Sequence, residues 1–281
     1  MTTPGQHSGR DPLGFPTDGA TRISTSRWAA WAPAAITFAG MVVTPLARRG
    51  GPVRRAMSTV VVSGLFATTS AAAARRWGAS RSAIAASGVA AVTGVVERIG
   101  TATGKPFGAY RYTGLLRPQI AGVPAIVPLA WFAMAVPARE TAHAALGHRS
   151  SPATRIALGA VALTAWDLFL DPQMVGEGYW QWARVGRYRG VPMSNYAGWL
   201  ATSVVVMAGL ELALPAERPA ERALVAEYGV MAGMETLGFA AFFRDRLVAT
   251  VGGAAMLPIA IAATRRLWQS RHWTVHAPRR G

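Results

Sequence analysis

Residues Thr164 to Trp199 read TAWDLFLDPQMVGEGYWQWARVGRYRGVPMSNYAGW. An apolar run ends in two aspartates, a loop dense in aromatic side chains follows, and a second apolar run begins at its far end. Asp167 and Asp171 are four residues apart, so on a helix they share one face within reach of each other. Acids inside otherwise apolar sequence are costly and mark functional positions. Carboxylates near a helix C-terminus also oppose the helix dipole, which argues against a purely stabilising role. Around the pair stand Trp166, Phe169, Tyr179, Trp180, Trp182, Tyr188, Tyr196 and Trp199. The set suits gripping a long apolar or cationic species, although aromatic belts also mark ordinary membrane interfaces.

The rest of the chain has the same character. Of its 281 residues 51% are hydrophobic and 15% charged, against about 25% charged in ordinary soluble domains. Apolar runs fall at 28–47, 56–74, 82–97, 123–141, 153–170, 195–214, 222–243 and 247–264. A helix crossing roughly 30 Å of hydrocarbon needs about 20 such residues, so the expectation is an all-α, polytopic integral membrane protein with about eight transmembrane helices in one bundle. An even number puts both termini on one side. Residues 1–27, rich in Gly, Pro, Ser and Thr, lack the apolar core of a signal peptide and read as a flexible tail. Residues 28–264 form the membrane domain, and 265–281 a basic tail. Alanine and glycine in the runs suit close helix packing, with Gly229 and Gly233 as one small-xxx-small pair.

A net charge of +16 would point to nucleic acid in a soluble chain. Here the arginines cluster between apolar runs, at Arg48, Arg49, Arg54 and Arg55, at Arg75, Arg76 and Arg81, and at Arg265, Arg266 and Arg271. Anionic lipid headgroups account for that pattern, and nucleic acid is not an expected partner. The expected location is the plasma membrane of a bacterium or archaeon, with cytoplasmic termini on the strength of Arg279 and Arg280.

Absent residue types exclude chemistry. There is no cysteine, hence no disulfide, thiolate nucleophile or Cys-based metal site. Histidines occur at 7, 143, 148, 272 and 276, without the converging clusters that an iron or zinc site requires. His143 reads as a helix-end residue. No Gly-rich nucleotide fingerprint follows a strand. Gly100 and Gly104-Lys105 approach a phosphate loop, but the spacing is one residue short and Pro106 stands where Ser or Thr belongs.

The second informative region is ERIGTATGKPFGAYRYT from Glu97. It leads into a connection of about 25 residues, long for a helix–helix loop and therefore a functional candidate. With alternating spans it opens on the same face as the loop from Asp171 to Ser194, so Glu97, Asp167 and Asp171 lie at similar depth beneath two aromatic loops. A structural ion pair with Arg98 or another loop arginine is the plainer reading of Glu97. Glu140, Glu211, Glu227 and Glu235 read as structural acids, although Glu227 and Glu235 also qualify to line the same cavity.

These segments, with VPLAWFAM from Val127, TAWDLFLDPQMV from Thr164 and GRYRGVPMSNYAGW from Gly186, resemble the carotenoid biosynthesis membrane protein family, which includes carotenoid 1,2-hydratases of the bisanhydrobacterioruberin hydratase type. The likeness covers about residues 90 to 200, with Val191 and Tyr196 replacing the expected Ile and Phe. The resemblance implies addition of water across the terminal C1=C2 double bond of an acyclic carotenoid end group, drawn from the bilayer. Other enzymes of the pathway are candidate partners.

An isolated alkene is a poor base and needs a carboxylic acid that keeps its proton. Two close buried carboxyls resist ionising together, so one of them does. The catalytic candidates are Asp167 as acid, Asp171 as its partner, and Asp171 or Glu97 as the base that takes a proton from water. Substrate-binding candidates are Trp166, Trp180, Trp199, Tyr110, Tyr112 and Trp131, whose π faces would steady a tertiary carbocation, and Asn195 as a water-orienting group. The scheme calls for no metal and no cofactor. Two other readings stand beside it. A Mg2+-dependent intramembrane prenyltransferase would need more carboxylates than this sparse pair. A non-catalytic carotenoid-binding protein would leave the acids unexplained.

Overall fold

The computed structural model describes the backbone of residues 20–216 and 219–275, with side chains over 32–216 and 219–269. The chain divides into two units. The first, residues 1–32, contributes the start of helix α1 (Ala20–Val43), and the second, from Pro33 onward, holds the helical bundle. Most of the expected N-terminal tail and the final residues 276–281 lie outside the described residues.

Proline and glycine set the helix limits. Helices α2 (Pro52–Trp77) and α5 (Pro152–Gly176) open on proline, which loses nothing at a first helical position where the N–H has no intrahelical acceptor. Ser151 adds a capping box with Thr154 at the start of α5, satisfying two further donors. Gly78, at φ +89°, ends α2 and lets α3 (Ala79–Thr103) begin one residue later. Helices α4 (Ile126–Leu146), α6 (Met193–Ala213), α7 (Arg222–Leu237) and α8 (Arg246–Val275) complete the set. Each apolar run read from the sequence coincides with one helix, and α8 continues through Arg265 and Arg266.

The architecture is all-α, with two small antiparallel ribbons in the loops. Strand β1 (Tyr110–Tyr112) pairs with β4 (Trp180–Trp182), setting Tyr110 opposite Trp182 and Tyr112 opposite Trp180. Strands β2 (Gln119–Ile120) and β3 (Val123–Pro124) form a hairpin whose central residues, Ala121 and Gly122, both have positive φ, the backbone that a tight hairpin turn requires.

Among the described residues five helices, α2, α3, α5, α6 and α8 over Arg246–Gln269, are long and apolar enough to cross a membrane. The expectation of about eight is therefore met in helices and not in qualifying spans. Helix α7 has only 16 residues, and α4 carries Arg139 and Glu140 inside its apolar run. That pair is tolerated because α4 is central, packed against α2, α3, α5, α7 and α8. Arg139 donates to Glu140 at 2.9 Å, Glu211 at 2.7 Å and the Leu214 carbonyl at 2.6 Å. Arg155 clasps the same Glu211 at 2.6 Å. Glu140 and Glu211 thus have structural partners, as does Glu227, which accepts from Thr69 at 2.9 Å. His143 stands in the last turn of α4 and meets Ser150 at 3.3 Å. The packing expected of Gly229 and Gly233 is not realised: a Cβ at either position would meet nothing within 4 Å. Helix contact is close instead at Gly64, where a Cβ would lie 2.1 Å from the Thr37 hydroxyl, and at Gly252, where it would lie 2.6 Å from the Phe169 ring, because Gly64 and Gly252 are buried and the α7 glycines are not.

Candidate active site

Helix α3 runs six residues beyond Glu97 before Gly104 ends it, so Glu97 lies inside the helix, 5% exposed. Gly100, one turn on, makes this possible. A Cβ there would lie 2.9 Å from Phe107 and 3.1 Å from the Tyr110 hydroxyl. Gly198 of α6 faces Phe107 from the other side, its Cβ position 2.8 Å from that ring. Phe107 is thus wedged between two glycines, and the loop after α3 folds back onto the bundle.

That return places three donors on Glu97. The hydroxyls of Tyr110 and Tyr112 both donate to Oε2, the latter at 2.8 Å, and Trp131 Nε1 of α4 donates to Oε1 at 3.3 Å. Burial, followed by the charge of Glu97, pushes both phenols above their ordinary range, so they remain proton-bearing donors. The ion pair with Arg98 considered from sequence does not form.

A second cluster forms where α5 meets α6. The side-chain amide of Asn195 donates to Asp167 Oδ2 at 2.7 Å and also to Asp171 Oδ2. Trp180 Nε1 donates to Asp171 Oδ1 at 2.9 Å. The remaining oxygen of Asp167 has no partner within the protein. Both aspartates are buried, Asp167 completely. The ribbon joining β1 to β4 ties the two clusters together, because Tyr112, which serves Glu97, packs edge-on at 5.7 Å against Trp180, which serves Asp171.

Glu97 and Asp171 line one cavity of about 370 Å³, together with Asn195, Tyr110, Tyr112, Trp131, Trp166, Trp180, Trp182 and Trp199. Asp167 is not on its wall; it is linked to the wall through Asn195, which donates to it. Trp131 and Trp199 stack at 3.9 Å and 15°, and Trp166 meets Trp199 edge-on at 6.2 Å. Of the remaining aromatics of the Thr164–Trp199 stretch, Tyr179 also lines the cavity, while the others do other work. Tyr188 donates to the Leu168 carbonyl at 3.0 Å and packs on Tyr196, pinning the loop, while Phe169 stacks on Phe239.

No sequence signal marks the apolar part of the wall, made by Phe38 and Met41 of α1, Val61 and Leu65 of α2, and Met231 and Met234 of α7. Apolar residues of an apolar helix look alike until packing selects a face. Glu235 also lines this wall. A π-helical turn, Gly238–Phe242, follows α7 directly, a distortion frequent at functional sites.

A family profile described as carotenoid biosynthesis protein matches residues 56–265. The chain belongs to this family. The match takes in most of α2, all of α3 to α7 and most of α8, and so every residue of the two carboxyl clusters. One curated relative, bisanhydrobacterioruberin hydratase of Haloarcula japonica, is 34% identical over 114 residues, which is 40% of this chain and 39% of that protein. The chain thus matches well under half the length of this relative. No solved structure matches. The family and the apolar helices together identify a membrane protein of carotenoid biosynthesis.

Proposed function

We propose that the chain is a carotenoid hydratase, adding water across the terminal C1=C2 bond of an acyclic carotenoid end group. The observation that carries this reading is the apolar cavity in which Asp171, bridged to Asp167 by Asn195, and the cradled Glu97 share one wall with a group of tryptophans. The relative's name supports the reaction class.

Two carboxyls meeting at one amide nitrogen favour a single shared charge, leaving one proton on the pair. Asp171 faces the cavity, so the proton passes from it to C2 as the alkene π pair forms the new C–H bond. Asp167 is its charge partner through Asn195. Positive charge then develops at C1, where the stack of Trp131 and Trp199 presents a π face, worth about 2 kcal/mol or more in a desolvated site. Glu97, held by three donors, supplies fixed negative charge in the same cavity. Water attacks C1, and a carboxylate on the wall takes its proton.

The volume of about 370 Å³ lies at the small end of ligand pockets and suits an end group better than a whole polyene. Among the lining residues Phe38, Val42, Leu237 and Phe242 are 42–57% exposed on the outside of the bundle. The polyene leaves the cavity past them into the bilayer. Plasma-membrane location, cytoplasmic termini and contact with other pathway enzymes belong to the same proposal.

The prenyltransferase reading is less well supported. Asn195 points N–H groups at the facing oxygens of both aspartates, where a Mg2+ ion would have to sit, and no group of three metal-ligating side chains occurs among the described residues.

The test is expression in a host that makes an acyclic carotenoid such as lycopene, followed by mass spectrometry of the pigments from cultures with and without oxygen. Gain of one water under both conditions supports hydration. Gain of one oxygen atom in air alone would replace it with hydroxylation, and unchanged pigment that still co-purifies with the chain would favour the binding-protein reading.

A further inference from the structure

Glu235 is the one acid on the cavity wall that the hydration scheme leaves unused. It lies in the last turn of α7, half-buried, and lines the cavity beside Met231, Met234 and Gly238. The neighbouring elements fix its orientation. Gly253 of α8 brings that helix so close behind α7 that a Cβ would lie 3.0 Å from the Thr236 hydroxyl, while Thr236 is tied to the Ala232 carbonyl at 2.7 Å. The face of α7 holding Thr236 is therefore committed to α8, and Glu235, about 100° around the helix, is left to the cavity.

The other carboxyls that meet the cavity are occupied. Glu97 accepts from three side chains, and Asp171 accepts from Trp180 and Asn195. Glu235 has no side-chain hydrogen bond or ion pair among the described residues. An acid placed in an apolar helix without a protein partner carries a cost, and the π-helical turn that follows it marks a locally distorted backbone.

We propose that Glu235 is the general base that binds and deprotonates the attacking water. This rests on the hydratase reading. Carboxyls already subscribed by donors are poor proton acceptors, whereas a free carboxylate offers all its lone pairs to a water molecule. The Asp171 proton forms the C2–H bond with the alkene π pair. A water lone pair then forms C1–O, and the released O–H proton passes to Glu235. Exchange with solvent returns one proton from Glu235 to the Asp167–Asp171 pair. The sum is one water added, with no oxidant or reductant consumed.

The experiment uses the full chain in membranes, with Glu235→Gln, Asp171→Asn and sodium azide, a nucleophile that attacks a carbocation without needing a base. Wild type must first add water; if it does not, the hydratase reading fails and not this one. Given that activity, Glu235→Gln is expected to lower turnover 10²- to 10⁴-fold, with the KM for carotenoid within about threefold, reading the change as a loss at the chemical step. Azide is then expected to restore turnover in Glu235→Gln, giving an azide adduct by mass spectrometry, and to leave Asp171→Asn inactive because no cation forms there. Size-exclusion chromatography in detergent confirms that both variants fold. Undiminished water addition by Glu235→Gln, or a folded but slow variant that azide does not rescue, overturns the assignment.

Discussion

Asn195 and Asp171 face each other across the α5–α6 interface, the amide of one donating to the carboxyl of the other. The same amide nitrogen reaches Asp167 at 2.7 Å, so a single neutral side chain couples two buried acids. Asn195→Ala leaves both carboxyls short of a donor, at about 1–3 kcal/mol for each unsatisfied group. The expected outcome is a fall in thermal stability in detergent together with loss of turnover. Asn195→Gln, which keeps the donor but lengthens its arm, should recover stability more than activity.

Asp171→Asn and Asp167→Asn should separate by position. Asp171 lines the cavity and Asp167 does not, so loss of the acid at Asp171 is expected to cost 10²- to 10⁴-fold in turnover. Asp167→Asn should cost about tenfold, acting only through its partner, the size of a shift of about 1.4 kcal/mol. Pigment conversion rates in membranes of each variant make the comparison. Equal losses would mean that the pair acts as one unit without a distinct donor.

Arg54 and Glu177 pair at 2.8 Å with side chains 5% and 4% exposed, while Arg189 and Asp245 pair at 2.7 Å with side chains 46% and 22% exposed. Similar distance does not mean similar worth. Breaking the buried pair with Glu177→Gln should destabilise the fold by about 3–5 kcal/mol, because a buried guanidinium is left uncompensated. Asp245→Asn should cost about 0.2–1 kcal/mol. Denaturation in a mild detergent, compared at two salt concentrations, distinguishes them.

Gly198→Ala places a methyl group 2.8 Å from the Phe107 ring and 2.9 Å from the Pro106 carbonyl. The loop has to move, and the donors it carries to Glu97 move with it. Overpacking of this kind costs about 1–3 kcal/mol, and turnover should fall further than stability alone explains. Phe107→Ala in the same background should relieve the clash without restoring activity, since the wedge that seats the loop is then missing.

Leu237→Trp tests the exit for the polyene. Leu237 lines the cavity and is 57% exposed on the outside, so a larger ring narrows the opening without touching the carboxyls. A raised KM for a long carotenoid with little change for a short acyclic terpene bearing the same end group is the expected outcome. Equal effects on both would place the opening elsewhere.

Much of this protein was legible in the chain before folding. A hydrophobic run of sufficient length forms a helix in a membrane because its backbone groups have no other partner there, and each of the eight runs became one. The family motifs brought Glu97, Asp167 and Asp171 into view because acids in apolar sequence are conspicuous. The sequence also set the two aromatic loops on one face, and the β1–β4 ribbon joins them there.

Other features depend on which face of a helix meets which neighbour, and hydrophobic composition is silent about that. Glu227 and Glu235 look equivalent in the chain, yet one accepts from Thr69 and the other lines the cavity wall with no side-chain partner among the described residues. Gly229 and Gly233 fit a packing motif and pack against nothing, while Gly100 and Gly198 seat Phe107. How α4 keeps Arg139 and Glu140 inside an apolar run was illegible for a related reason, because it does so by being central, and burial is settled only after its neighbours are placed. The sequence alone determined the helices and the presence of costly acids. Only the tertiary structure decided which acids are neutralised by partners and which are left free to act, because that depends on distances of about 3 Å between groups far apart in the chain.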